Sequence, residues 1–323
     1  MESVEYCKLK VDRRFGVEFE VSSFFSKQDL ASFIEKKEKQ VSNPKKVLVE
    51  GGTKGWAESH ENNYWHVKYD SSCGPTGNKS KDHGWEIASY IGSSVEDIDW
   101  IAGMAANLSE SKVETNTHCG LHIHAETSDF SPEQMGVLHS HWLRIEPWII
   151  HSLPKHRKNN KHCKPLSKAF KYDKVDNPAE LWMIFKPSNF GPHENKQKKV
   201  AINSVGYAQG LYHTHYKRKT LELRMPECIL DESYVSNWIV LYLHFIHNVK
   251  NRSFIPKTDK DLSLDEVFWI LGLGDKNPNT LVVLDKKLTM LKIWFLERLV
   301  ANSHSLKVAK TALEKLRFIT QLS

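Results

Sequence analysis

The sequence predicts an α+β fold in which a mainly antiparallel, curved sheet is backed by helices. Several segments alternate apolar and polar residues with a period of two, as in strands that bury one face. Between them lie segments whose apolar residues recur at helical spacing. From residue 233 onward the pattern is almost entirely helical, so extra helices are expected towards the C-terminal end.

The clearest strand covers residues 14–21. Glu18 and Glu20 share one face, and the opposite face, from Phe15 to Val21, is apolar. Strands with the same arrangement are predicted at 84–91, 121–125 and 219–225. Their polar faces carry Glu86, His122, His124, Glu222 and Arg224. Less regular strand candidates are 47–49, 64–70 and 199–208.

Serine N-caps mark several helix starts. Ser94, Ser131 and Ser263 are each followed three residues later by a side chain that completes a capping box. In the helix after Ser131, Pro147 is expected to break the apolar stripe near its end, and Gly272 is expected to end the helix after Ser263. The other predicted helices are 27–41, 178–186, one beginning near 233, 280–299 and 304–319.

Composition narrows the class of protein. The 323 residues, 40% hydrophobic and 26% charged, are ordinary for a globular protein. Five cysteines are scattered without a CxxC pair, which favours a reducing compartment and argues against a disulfide framework and a thiolate zinc site. No apolar run reaches bilayer length, and the residues from Met1 to Glu5 lack the apolar h-region of a signal peptide, so none is expected. We therefore expect a cytoplasmic protein with no membrane partner.

Positive charge is concentrated in residues 151–200. This segment carries twelve Lys or Arg and four Asp or Glu, an excess of +8 compared with +6 for the whole chain. Such a segment favours an anionic partner, which includes nucleotide phosphate, nucleic acid and an acidic substrate. A lysine-rich surface loop without a partner is the alternative explanation.

The polar faces of the four strands suggest a metal site. If the strands join one antiparallel sheet with helices covering its apolar face, their acidic and histidine side chains converge on the opposite face. Carboxylates with one or two imidazoles suit Mg²⁺ or Mn²⁺ better than structural zinc. With a strand arginine and a lysine-rich lid, this is a constellation for handling phosphate. Four amphipathic strands with solvated polar faces are the alternative.

Four motifs, in this order, resemble the amidoligase family of carboxylate–amine ligases. They are Phe15-Gly16-Val17-Glu18-Phe19-Glu20, Trp85-Glu86-Ile87-Ala88-Ser89, Cys119-Gly120-Leu121-His122-Ile123-His124 and Thr220-Leu221-Glu222-Leu223-Arg224. The similarity spans about residues 14–250. Ile91-Gly92 departs from the pattern, because such proteins often have a proline there. The resemblance implies a glutamine synthetase-like fold and ATP-dependent amide formation through an acyl phosphate.

The resemblance also implies roles for individual residues. The implied ligands of Mg²⁺ or Mn²⁺ are Glu18, Glu20, Glu86, His122 and Glu222. His124 would contact the nucleotide, Arg224 and Arg157 would stabilise the transferring phosphate, and Asp70 would orient or deprotonate the amine. The implied partners are ATP and a small-molecule or peptide carboxylate and amine. Residues 1–250 would form the catalytic domain, with 151–200 as a basic lid-like insertion, and 251–323 would pack on it as a helical extension.

Two other functions fit parts of the sequence. A metal-dependent protein that binds or hydrolyses nucleic acid would use the segment 151–200, although aromatic residues for base stacking are sparse there. A non-catalytic metal-binding scaffold would use some of the 17 histidines, most of which lack ligand spacing. The sequence does not determine the substrates or the oligomeric state.

Overall fold

The structure is a computed structural model that describes residues 3–49, 64–74, 83–111, 113–171, 175–186, 199–212, 219–256, 261–275, 280–303 and 307–322. The strands are β1 (Ser3–Cys7), β2 (Phe15–Ser23), β3 (Lys46–Val49), β4 (Tyr64–Tyr69), β5 (His83–Ala88), β6 (Leu121–Glu126), β7 (Ile202–Asn203), β8 (Thr220–Leu223) and β9 (Thr280–Leu284). The helices are α1 (Lys27–Glu38), α2 (Val95–Glu110), α3 (Pro132–Ser152), α4 (Lys155–Lys158), α5 (Leu166–Ala169), α6 (Pro178–Phe185), α7 (Val205–Tyr212), α8 (Glu232–Val249), α9 (Leu264–Leu271), α10 (Lys286–Asn302) and α11 (Lys307–Leu322). A short 3₁₀ turn, Ser71–Cys73, follows β4.

The chain divides into two units, each made of separate segments. Unit 1 contains Met1–Val11, Glu126–Leu221 and Val240–Ser323. Unit 2 contains Asp12–Ala125 and Glu222–Ile239. This division does not follow the boundary expected at residue 250, and a separate role for residues 251–323 stays a prediction.

The sheet of unit 2 is built around β2. Six strands lie wholly or partly in this unit, in the order β3-β4-β5-β2-β6-β8. β2 pairs antiparallel with β5 and β6, β4 pairs antiparallel with β5, and β3 with β4 is parallel. The α+β class with a mostly antiparallel sheet is therefore confirmed.

The apolar face of β2 is the core of unit 2. Its residues Phe15, Val17, Phe19 and Val21 are at most 2% exposed. Nearby, the carboxylate of Glu38 at the end of α1 holds several elements together. One oxygen accepts hydrogen bonds from the indoles of Trp65 in β4 and Trp100 in α2, both at 2.7 Å, and the other accepts the backbone N–H of Lys45 at 2.7 Å. The core and this network fix the strands whose other faces carry the predicted site.

In unit 1, a buried carboxylate of α3 organises the segment that follows it. The side chain of Glu146 accepts the backbone N–H groups of Leu166 at 2.7 Å and Ser167 at 3.0 Å, and the indole N–H of Trp142 at 3.0 Å. These donors satisfy the hydrogen-bonding capacity of a carboxyl group that is 0% exposed. Lys174, Lys196 and Lys198 of the basic segment lie outside the described residues.

The predicted helix caps are confirmed. Ser94, Ser131 and Ser263 each accept a hydrogen bond from the backbone three residues later in a complete capping box. Gly272 ends α9 with φ of 74°, a left-handed conformation that favours glycine. Pro147 does not end α3, which continues to Ser152. Only one backbone donor is lost there, and buried apolar residues on either side keep the helix packed.

The predicted helix 280–299 is wrong for its first five residues. Thr280–Leu284 is strand β9, which pairs in parallel with β1 from Ser3 opposite Thr280 to Cys7 opposite Leu284. The helix α10 starts only after Asp285, whose side chain accepts the N–H of Leu288 at 2.9 Å. A short apolar run is compatible with either a helix or a strand. Here the run is a strand because it pairs with β1, which is distant in the sequence.

The predicted strand 199–208 is mostly wrong. Only Ile202–Asn203 is extended, as β7. The side chain of Asn203 accepts the N–H of Val205 at 2.9 Å, and helix α7 begins there. This local side-chain hydrogen bond competes with the extended conformation that the apolar pattern favours. The strand predicted at 84–91 also ends early, at Ala88.

Candidate metal centre

Strand pairing in unit 2 gathers acidic and histidine side chains on one face. In the antiparallel register of β2 with β6, Glu18 lies opposite His122. On the other edge of β2, Glu20 lies opposite Glu86 of β5. Directly opposed residues have their side chains on the same face of a sheet. The register therefore joins separate alternating patterns into one polar surface.

Glu18, His122 and Glu222 form the centre of this surface. Each offers a ligand atom that lies within 4.8 Å of the other two. The Nδ1 atom of His122 lies 3.1 Å from Glu18 Oε2 and 3.6 Å from Glu222 Oε1. His122 is 3% exposed and Glu222 is 6% exposed. Two of the three side chains are thus buried. This argues against the alternative that the strands simply expose polar faces to solvent.

His124 and Arg224 place positive charge beside the two carboxylates. The Nε2 atom of His124 lies 3.2 Å from Glu18 Oε1 and 3.8 Å from Glu222 Oε1. The guanidinium Nη1 of Arg224 donates to Glu222 Oε1 in an ion pair. Each buried acid therefore has an oppositely charged neighbour.

The charges in this group stabilise each other. Burial acts to raise the pKa of Glu18, but His124 and His122 outweigh it, and the pKa lies well below the ordinary value. Burial also opposes the ionisation of Glu222, whose pKa is nevertheless lowered by Arg224 and His124. For His124, burial is outweighed by Glu18 and Glu222, which raise its pKa to about 9. Both carboxylates are therefore ionised at neutral pH, as a cation site requires.

Glu86 lies opposite Glu20 but its carboxylate contacts a lysine of the next strand. Lys68 of β4 is opposite Glu86, with Nζ 2.5 Å from Oε1. Burial and then the charge of Glu18 raise the pKa of Glu86 well above its ordinary value, and Lys68 acts in the other direction. The alternation of residues 64–70 places Lys68 on this face. Its contact with Glu86 depends on the pairing of β4 with β5, which residue spacing within one strand does not reveal.

Glu20 connects the central group to a second one. Its Oε1 lies 3.5 Å from His122 Nε2, and its Oε2 accepts the N–H of Gly120 at 2.5 Å. Ligand atoms of Glu20, Asp70 and Cys73 also lie within 4.8 Å of one another. Asp70 follows β4, and its side chain caps the turn Ser71–Cys73 by accepting the N–H of Ser72 at 2.8 Å.

Eight of the nine predicted site residues lie in unit 2. The ninth, Arg157, lies in unit 1, where it is part of α4 and is 3% exposed. Sequence reasoning did not single out Lys68 or Cys73.

The central group fits a hard divalent cation. Two carboxylates and one imidazole are donors that Mg²⁺ and Mn²⁺ accept in proteins. The donor atoms lie close enough for one ion to reach all three after small side-chain movements. Three protein donors leave coordination positions for water or phosphate oxygens.

A protein-family model described as "Putative amidoligase enzyme" matches residues 11–246. The chain belongs to the amidoligase family. The matched region contains all nine predicted site residues, and it confirms the resemblance carried by the four strand motifs. Membership supports an enzyme of the ligase type.

Other comparisons add little to the family assignment. No curated protein matches the chain. Among solved structures, a bifunctional glutathione synthetase from Pasteurella multocida aligns with a TM-score of 0.38 and 11% identity, over 95% of this chain and 48% of that one. The chain spans about half the length of that protein, and a TM-score this low does not establish a common fold. None of the helices in the described ranges is long and apolar enough to cross a membrane.

Proposed function

We propose that this amidoligase joins a carboxylate to an amine, using ATP and Mg²⁺ or Mn²⁺ in a glutamine synthetase-like catalytic fold. The observation that carries the proposal is the buried group of Glu18, His122 and Glu222, with Arg224 beside it. Phosphoryl transfer depends mainly on positioning and on neutralising negative charge. A metal-binding face with an adjacent arginine supplies both, and family membership supports the ligase type.

Four glutamates and one histidine would hold the metal. Glu18, His122 and Glu222 would be its ligands in the central group. Glu20 would contribute from the neighbouring strand position, and Glu86 would do so after exchanging its contact with Lys68. The bound ion would neutralise the negative charge of the nucleotide phosphates.

Two cationic side chains would bind the phosphates. Arg224 would turn its guanidinium from Glu222 towards the transferring phosphate once the metal takes over the carboxylate. His124, whose pKa is raised to about 9, would donate a hydrogen bond to a nucleotide oxygen. Arg157, in unit 1, is included on the basis of the resemblance alone.

The reaction would proceed in two displacements. A carboxylate oxygen of the acid attacks the γ-phosphorus, the bond from that phosphorus to ADP breaks, and an acyl phosphate forms. The amine nitrogen then attacks the acyl carbon, phosphate leaves, and one nitrogen proton must be removed. Asp70 would accept that proton or orient the amine, because only an unprotonated amine is nucleophilic.

The test is nucleotide binding followed by turnover. We expect the purified protein to bind ATP in calorimetry only when Mg²⁺ or Mn²⁺ is present, and to release ADP with matching pairs from a panel of acids and amines. Glu222→Gln should reduce ADP release by at least about 100-fold, since it removes a metal ligand and the partner of Arg224.

The matched control is Glu110→Gln, which neutralises an exposed carboxylate at the end of α2 in the same unit. It should behave like the wild type. The proposal is wrong if the wild type shows no metal-dependent binding of ATP, or if Glu222→Gln binds and turns over ATP as well as the control. Binding of oligonucleotides with a steep salt dependence would instead support the nucleic-acid function.

A further inference from the structure

Lys68 is a cation on the polar face of unit 2 to which the proposed reaction assigns no substrate group. It lies on β4 opposite Glu86 of β5, and Glu86 in turn lies opposite Glu20 of β2. Because directly opposed residues share a face of the sheet, the three side chains form one row across three strands. The Nζ atom of Lys68 is 2.5 Å from Oε1 of Glu86, and the two side chains are 21% and 12% exposed. A largely buried ammonium group therefore borders the candidate metal centre.

Asp70 follows Lys68 on the same face of the sheet. The backbone of Asp70 is still extended, with φ of −131° and ψ of 107°, and its N–H donates to the carbonyl of Gly84 at 3.0 Å. The alternation of β4 therefore continues to this residue. A carboxylate oxygen of Asp70 also lies within 4.8 Å of one of Glu20. β4 thus presents an ammonium group and a carboxylate, two residues apart, beside the proposed metal ligands.

The cations proposed to bind the nucleotide lie on the other side of β2. His124 is on β6 and Arg224 directly follows β8, whereas Lys68 is on β4. The strand order β4-β5-β2-β6-β8 places β2, with Glu18 and Glu20, between the two sides. A carboxylate held by Lys68 would therefore face the γ-phosphate across the proposed metal ligands. Two anions approach each other in the first displacement, and a cation beside each one reduces their repulsion.

Stability alone gives little reason for the pair of Lys68 and Glu86. Taking two charges out of water offsets most of their attraction, so replacing a buried ion pair by apolar residues is often neutral or stabilising. The pair instead repeats the arrangement of Arg224 with Glu222 at the other side of the same face. In both pairs a cation holds a carboxylate that is a proposed metal ligand.

We propose that Lys68 binds the reacting carboxylate of the acid substrate, an assignment that rests on the proposed ligase function. When the metal takes Glu86 as a ligand, the ammonium group of Lys68 is released and donates hydrogen bonds to the acid. Asp70, two residues further along β4, is then beside the acid with a charge that suits the amine. The acid and the amine therefore meet on the β4 side of the metal, and the nucleotide binds on the β6 and β8 side.

The test uses acetate, the simplest carboxylate, as the probe of the full-length protein loaded with Mn²⁺. Bound Mn²⁺ speeds the relaxation of the methyl protons of any acetate held nearby, which nuclear magnetic resonance measures even when binding is weak. We expect a saturable effect with the wild type. Lys68→Met should raise the acetate concentration for half-saturation at least about tenfold, because a charge-assisted hydrogen bond is lost. Lys68→Arg keeps the positive charge and should stay closer to the wild type than Lys68→Met.

Lys46→Met is the matched control, because it removes the same charge from an exposed position on the neighbouring strand β3. It should bind acetate like the wild type. Circular dichroism identifies a variant that fails to fold, and Lys68→Gln then takes the place of Lys68→Met.

The electron paramagnetic resonance of free Mn²⁺ reports how much metal each protein holds, which separates the two possible failures. If the wild type holds no Mn²⁺, the proposed metal centre is wrong and this inference is wrong with it. If the wild type holds Mn²⁺ but does not relax acetate, or if Lys68→Met binds acetate as well as Lys46→Met does, only the role of Lys68 is overturned.

Discussion

Glu18 and Glu38 are carboxylates of the same unit, but their surroundings give them different uses. Both oxygens of Glu38 accept N–H bonds from tryptophan indoles or the backbone, three bonds in all, so its carboxylate is already committed to contacts within the fold. Glu18 is instead surrounded by histidines and charged side chains that a cation can displace. Glu38 therefore stabilises the fold, whereas Glu18 is available for binding.

Glu18→Gln should weaken the binding of Mn²⁺ at the central group by at least about tenfold, because an amide oxygen replaces an anionic donor. Titration followed by the electron paramagnetic resonance of free Mn²⁺ measures this directly. Glu110→Gln, exposed on α2, should bind Mn²⁺ like the wild type. Equal affinity in all three proteins would remove Glu18 from the site.

Glu38→Gln should lower the free energy of unfolding by about 1–3 kcal/mol, because the amide places an N–H₂ group against a donor that the carboxylate oxygen accepted. Chemical denaturation measures the loss. Glu35→Gln lies on the exposed side of the same helix and should change stability by less than about 0.5 kcal/mol. If both variants lose equally little, the network around Glu38 does not stabilise unit 2.

At the residue scale, the sequence predicted the members of the central group but not their partners. Alternation put Glu18 and Glu20 on one strand face, because a period of two depends only on local geometry. The contact between Lys68 and Glu86 depends on strand register, and the position of Cys73 beside Glu20 depends on a turn. Spacing along one chain carries neither kind of information.

At the scale of single elements, α3 shows how burial changes the chemistry of a helix face. His139 and His141 are both 0% exposed, and burial lowers the pKa of each to about 4. The His139 ring hydrogen bonds to the carbonyl of Met135 at 2.7 Å and stacks on Phe185 with centroids 5.1 Å apart. Both histidines are therefore neutral packing residues at physiological pH.

This burial predicts a loss of stability in acid. An unfolded histidine has an ordinary pKa of 6.5 and takes up a proton between pH 6.5 and 4, whereas folded His139, with a pKa of about 4, does not. The unfolded state binds more protons in this range, so stability falls as pH falls. Between pH 7 and 5 this residue should account for about 2 kcal/mol, and His139→Phe should remove that part of the dependence. Unfolding curves at both pH values test it, and an unchanged dependence in the variant would contradict the assignment.

The elements with local signals were the ones the sequence predicted well. Capping boxes and Gly272 marked helix ends correctly, since these signals act within a few residues. Strand β9 was missed because its identity depends on β1 at the other end of the chain. The strand predicted at 199–208 was too long because helix α7 begins at Val205, where the Asn203 side chain accepts the backbone N–H.

At the scale of the molecule, unit 1 draws on segments from both sides of residue 250. β1 pairs with β9 along its whole length. In α10, the side chains of Arg298 and Asn302 donate to the carbonyl of Ser152, at 3.2 Å and 3.0 Å. These bonds connect the end of α3 to the residues predicted to form a C-terminal extension packed on the catalytic domain.

A chain ending at residue 250 should therefore fail to fold cooperatively. It would expose the pairing edge of β1 and leave the carbonyl of Ser152 without its two donors, both of which cost free energy. Near-ultraviolet circular dichroism during heating should show no sharp transition. The matched control ends at Ser303, which keeps β9 and α10 and removes only α11, and it should unfold cooperatively with a lowered midpoint. A cooperative transition of the shorter chain at the midpoint of the full-length protein would show instead that residues 1–250 form an independent catalytic domain.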